Sequence, residues 1–158
     1  MATTVTAADL TVTIIETYNL NGVDYGNTMN KTYTANGQVS QRVMSIAAYG
    51  TGGTHVWTDI LGLTTVDGKG QVVKADYKYF RINNLDDTTG LTLRIFNGVD
   101  YLYFEVAAGS SAMFMDAGVD AQTAESHGNA ALVDITSISG QAQASATDID
   151  VEFVIVTA

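Results

Sequence analysis

Two residue types are missing from the 158 positions, cysteine and proline, and basic side chains are scarce. Without cysteine there are no disulfides, thiolate metal sites or cysteine nucleophiles. Average usage would supply about eight prolines. Here 15 glycines take over the turns, which suits antiparallel sheet, where proline interrupts ladders and Asn-Gly pairs close tight hairpins. Only 7 Lys and Arg stand against 17 Asp and Glu, a formal charge of −10. A phosphate backbone or an anionic membrane requires a basic face, so neither nucleic acid nor membrane is expected as a partner. No apolar run approaches the ~20 residues of a membrane helix. The opening MATTVTAADLTVT has neither the basic region nor the apolar core of a secretory signal, so synthesis and folding in a cytoplasm are expected. Asn30-Lys31-Thr32 matches the glycosylation triplet and, without that signal, reads as chance.

What is present is a succession of short alternating runs. Leu10, Val12 and Ile14 share one face of a strand, with Thr11 and Thr13 on the other. Asn21-Gly22 and Asn36-Gly37 are tight-turn signals around a short polar strand at 28–35, placed at a sheet edge. Val39, Val43 and Ile46 in the run 39–49 break strict phase, which points to a bulge. The run 55–61 holds the one tryptophan, Trp57. Phe80 and Ile82, then Leu91, Leu93 and Ile95, then Leu102, Phe104 and Val106 form inward faces of successive strands. Ile149, Val151, Phe153 and Ile155 give the cleanest alternation of all. Residues 117–130 read as a long surface loop and 131–139 as a further strand. Together this predicts an all-β chain, an antiparallel β-sandwich or jelly-roll-like barrel of roughly ten short strands. Residues 1–8 are expected to be a flexible arm and 9–158 a single domain.

No catalytic set emerges. Asp86-Asp87-Thr88-Thr89-Gly90 has an extra residue before the glycine compared with an aspartic-protease loop, and there is no second such loop. As a calcium loop, Asn84, Asp86 and Asp87 lack the distal glutamate of an EF-hand. A hairpin loop is the plainer reading. His55 and His127 have no acid or histidine at ligand spacing, and no nucleophile elbow is present. The glycine-rich stretches at 50–53 and 68–70 match no phosphate-binding pattern and read as turns. No cofactor, metal or enzymatic activity is expected.

The informative group is Tyr77, Tyr79, Arg81, Arg94, Phe96, Tyr101 and Tyr103. Alternation puts them on the outward faces of neighbouring strands, and tyrosine and arginine are the residues protein interfaces favour. The competing readings are a face covered by a loop or second sheet, and a face that stacks sugar rings. The stretch YFRINNLDDTTGLTLRIFNGVDYLYFEVAAGSSAMFMD and the closing DITSISGQAQASATDIDVEFVIVTA resemble virion accessory proteins of tailed bacteriophages. That resemblance spans about half the chain. It implies a non-enzymatic β-sandwich that decorates and stabilises the capsid exterior, with the major capsid protein and copies of itself as partners. A carbohydrate-binding module, or a tail or head-fibre accessory, is the alternative.

Overall fold

The computed structural model describes residues 8–35, 39–50, 55–62, 77–99, 101–115, 118–119, 133–144 and 146–157. These residues hold fourteen strand segments and no helix. They are β1 (Ala8–Glu16), β2 (Asn19–Leu20), β3 (Val23–Asp24), β4 (Asn27–Ala35), β5 (Val39–Ile46), β6 (Thr58–Leu61) and β7 (Tyr77–Asn84). They continue with β8 (Leu91–Phe96), β9 (Tyr101–Val106), β10 (Ser111–Met115), β11 (Gly118–Val119), β12 (Val133–Asp134), β13 (Ser137–Ala142) and β14 (Ile149–Thr157).

Four antiparallel pairings nest around one hairpin. β8 pairs with β9, β7 with β10, β6 with β13 and β5 with β14. Rolling up this long hairpin adds the pairings β14–β7 and β13–β8. The result is two four-stranded sheets. Sheet I runs β10-β7-β14-β5, and sheet II runs β6-β13-β8-β9. This is the jelly-roll arrangement of a sandwich. Among the described residues the two sheets remain separate, so the sandwich is not a closed barrel.

One core lies between the sheets. Phe80, Ile82, Leu91, Leu93, Ile95, Val151, Phe153 and Ile155 are all completely buried. Each follows from alternation: in β8 the buried Leu91, Leu93 and Ile95 interleave with half-exposed Thr92, Arg94 and Phe96. Burying one such side chain contributes about 1.5–3 kcal/mol. Leu102 is on the inner side of the edge strand β9, opposite Ile95, but remains 40% exposed, with no further strand beyond it among the described residues.

Two local expectations are corrected. The expected bulge in β5 is absent: β5 pairs with β14 from Ile46 to Val39 without a register shift. The phase looked broken because Val39 and Val43 point to solvent, while Arg42 takes an inward position with its guanidinium 5.1 Å from the Phe153 ring. Inward charge of this kind also discourages edge-to-edge pairing of an exposed edge strand. The expected hairpin loop at 85–90 is instead a crossing from sheet I to sheet II, since β7 and β8 belong to different sheets. Asn84 holds that corner. Its side-chain amide reaches the carbonyls of Thr89 (2.8 Å), Val106 (3.3 Å) and Ala107 (3.3 Å). The return crossing after β9 is tied alongside by Gly109 N–H donating to Asp86 O (2.8 Å). The anticipated polar strand at 28–35 is β4, and it lies at a sheet edge, paired with β1 alone in a two-stranded sheet.

β1 and β4 make a separate two-stranded ribbon. Its root lies on the outer face of sheet I, where Leu10, Val12 and Tyr33 pack with Tyr79, Val154, Val156 and Met115. Val156 is buried although it points away from the main core, because the ribbon covers it. β2 and β3 continue the ribbon to a tip at Asn21-Gly22. Both tip residues have positive φ (53° and 82°), the geometry of a two-residue hairpin turn that an Asn-Gly pair favours.

Candidate functional site

The seven residues singled out by sequence do not form one surface. β7 lies in sheet I, and β8 and β9 lie in sheet II. Their outward faces are therefore on opposite sides of the sandwich. The Tyr77 side chain is outside the described part of the structure.

Tyr79 and Arg81 are on the outer face of sheet I, and the ribbon covers Tyr79 to 4% exposure. Burial pushes the Tyr79 hydroxyl above its ordinary pKa of 10.0, and the neighbouring Arg81 charge partly offsets this. Arg81 extends to Glu152 at 3.4 Å. Glu152 also accepts from Asn83 (2.6 Å) and Gln41 (3.0 Å). The hydrogen bonds from Gln41 and Asn83, with the Arg81 charge, hold its carboxyl below the ordinary 4.5. A cleft of about 400 Å³ remains between ribbon and sheet, lined in part by Thr11, Thr13, Gln41 and Arg81. This half of the predicted group is thus mostly absorbed by the chain's own ribbon.

Arg94, Phe96, Tyr101 and Tyr103 do come together, on the outer face of sheet II. Cross-strand pairing sets Arg94 opposite Tyr103 and Phe96 opposite Tyr101. The Phe96 and Tyr101 rings stack with centroids 4.6 Å apart. The Arg94 guanidinium is 4.3 Å from the Trp57 ring centroid and 4.8 Å from that of Tyr101. It donates to the Ser139 hydroxyl, 3.1 Å from Nη2 and 3.4 Å from Nε. Ser139 is itself 1% exposed, so the anchor is fixed in the sheet. Tyr101 and Tyr103 stay 46% and 53% exposed. Arg94 has no carboxylate partner among the described residues, where the one ion pair joins Arg81 to Glu152. The arrangement is an open aromatic platform with one oriented cation and, on the same face, the exposed carboxylates Glu105 and Asp59. It can stack on planar or apolar groups, with Arg94 free to meet an anion.

Trp57 and Ser139 complete this platform and were not in the sequence-derived group. Trp57 precedes β6, and its ring reaches Tyr103 at 5.9 Å. Its being the sole tryptophan was the one available signal, since β6 meets β8 only through β13, a pairing no local pattern reveals.

The other candidates have structural partners. Asp86 Oδ1 accepts the N–H groups of Thr88 (2.8 Å) and Thr89 (2.7 Å) and the Thr88 hydroxyl (2.9 Å). These bonds lower its pKa and commit that oxygen to the turn. His55 is exposed and meets Tyr49 edge-on at 5.0 Å. His127 and most of the loop 117–130 lie outside the described residues. Gly118–Val119 pairs with Val133–Asp134. No cluster of three or more acidic or histidine side chains suited to a metal occurs among the described residues. No family model, curated protein or solved structure matches the chain.

Proposed function

We propose that the chain is a non-enzymatic virion accessory protein of the capsid-decoration kind, which binds other protein through the outer face of sheet II. The observation that carries this reading is Arg94, oriented between Trp57 and Tyr101 beside an exposed Tyr103, with no ion-pair partner among the described residues. Tryptophan, tyrosine and arginine are the side chains that dominate binding energy at protein interfaces. Jelly-roll sandwiches occur in viral capsid and lectin domains, an analogy of fold that supports the reading without assigning any residue. The charge of −10 suits a protein that stays soluble until it meets its shell. In this reading the partners are the major capsid protein and further copies of the chain, on the capsid exterior.

The test is re-addition of purified protein to particles stripped of it. Rebinding with raised thermal or osmotic resistance is expected, as is loss of both with Arg94→Glu. Failure of the wild-type chain to rebind sinks the proposal. A second reading, a carbohydrate-binding module, is favoured by the exposed Tyr101 and Tyr103 rings. Specific glycan-array binding that disappears with Tyr103→Ala would replace the first reading with this one.

A further inference from the structure

The ribbon does not stop where sheet I stops. Every residue from Ile15 to Thr32 is exposed. Six residues separate Ile15 from the turn at Asn21, a reach of roughly 20 Å at strand rise. A two-stranded hairpin is marginal by itself in water, and this one displays Tyr18, Leu20, Val23 and Tyr25 at 48–61% exposure. The register is continuous along it. Leu10 faces Tyr33, Ile14 faces Met29, Glu16 faces Asn27 and Leu20 faces Val23, with two residues on each side between the two ladders. The alternation therefore puts Ile14, Glu16, Tyr18 and Leu20 on the same face as Leu10 and Val12. That is the face which, at the root, packs on sheet I. The Tyr18 and Tyr25 rings lie 6.0 Å apart across the pair, and Tyr25 N–H donates to Tyr18 O at 2.7 Å. The packing face thus runs into solvent with one carboxylate, Glu16, in its middle and one ammonium, Lys31, nearer the root, opposite Val12. Glu16 has no ion-pair partner among the described residues.

Sheet II presents exposed aromatic rings around one oriented cation, Arg94, with the exposed carboxylates Glu105 and Asp59 on the same face. Glu16 and Lys31 of the arm are opposite in sign to Arg94 and to Glu105 and Asp59 of the sheet, and both surfaces are otherwise rich in apolar or aromatic side chains. We propose that the arm 15–32 of one copy docks on the sheet II face of a second copy, with Glu16 against Arg94 and the Tyr18–Leu20 tip on Tyr101 and Tyr103. The contact joins two different surfaces, so it is head-to-tail and closes into a ring where the rotation allows. It rests on the reading of sheet II as a protein-binding face and names the partner there.

Light scattering on the full chain up to about 100 µM, above the micromolar range of weak interfaces, is the first measurement. An oligomer is expected. Glu16→Arg and Arg94→Glu should each weaken it at least ~tenfold, and the double variant should restore it. Because the chain has no cysteine, a Leu20→Cys preparation mixed with a Tyr103→Cys preparation gives an independent readout should Arg94→Glu fail to fold. A disulfide heterodimer should exceed that from Leu20→Cys with Ser45→Cys. A monomer throughout the range, a double variant no better than the singles, or equal cross-linking in the two mixtures overturns the proposal. A monomer that still rebinds stripped shells overturns the arm contact alone. An oligomer rescued by the charge swap that never rebinds shells overturns the shell-binding reading alone.

Discussion

YKYFRI in β7 and YLYFEV in β9 are near-equivalent as sequence, yet their outward tyrosines have opposite surroundings. Tyr79 is 4% exposed and Tyr103 is 53% exposed. Both point away from a shared core, and both sit in four-stranded sheets. The difference comes from β1 and β4, remote in sequence, which cover sheet I and leave the described outer face of sheet II open. Alternation decides which face of a strand meets the core. Whether the other face meets water is decided by a segment elsewhere in the chain.

The strongest way to break this comparison is to truncate the two tyrosines in turn. Tyr79→Ala removes the seat of the ribbon and should cost about 3 kcal/mol, the scale for emptying a buried aromatic site. Tyr103→Ala should change stability by no more than about 0.5 kcal/mol, as for an exposed position. Urea unfolding of both variants checks this. Equal losses would mean that the face of sheet II is covered as well.

That contrast also marks what the sequence made legible. The inner faces could be read because they obey one rule: Phe80, Ile82, Leu93, Ile95, Val151, Phe153 and Ile155 alternate strictly and are all fully buried. Arg94, Phe96, Tyr101 and Tyr103 were legible as a patch because β8 and β9 are joined by a short hairpin, so neighbours in sequence are neighbours in the sheet. Adding Tyr79 and Arg81 to the same patch misread the corner at Asn84. Its hydrogen bonds carry the chain across to the other sheet, where a turn-rich stretch resembles any hairpin loop. Trp57 and Ser139 joined the platform through pairings between strands far apart in the chain, which have no local signature.

The two arginines offer a second contrast, smaller in size. Arg94→Ala loses two ring contacts and the donors to a buried Ser139 hydroxyl, and should cost about 1–2 kcal/mol. Lysine should not rescue it, because the planar guanidinium is what fits between the rings. Arg81→Ala breaks an ion pair whose side chains are 35% and 26% exposed, so the loss should stay under about 1 kcal/mol. Thermal unfolding of the three variants ranks them. Arg81→Ala costing more than Arg94→Ala would make sheet I the side organised around its cation.

Acid should act on the sheet I side through Glu152. Its folded-state pKa is below the unfolded value, since Gln41, Asn83 and Arg81 favour the ionised carboxyl. A depressed acid contributes stability that is present above its unfolded pKa and lost as pH falls through the folded one. Between neutral pH and about 4.5 the contribution should hold, and below the ordinary 4.5 it should decline. Glu152→Gln should therefore lower stability at pH 7 and flatten the acid limb of a pH–stability curve. An acid limb of unchanged slope would mean that the carboxylate is not held by these partners in solution.

The smallest effect on the global unfolding midpoint belongs to the arm itself. Gly22 has φ of 82° with nothing within 4 Å of a Cβ built there, so Gly22→Ala meets backbone strain and no clash. The cost should be about 1 kcal/mol, confined to the tip because the arm beyond Ile14 is exposed on every residue. The global unfolding midpoint should barely move. Hydrogen exchange of the Tyr25 amide, bonded to Tyr18 O at 2.7 Å, should speed up about fivefold, as expected for a local opening made easier by that amount. If Tyr25 exchanges as a free amide in the wild-type chain, the tip is not folded in the monomer, and it would order only on the surface it binds.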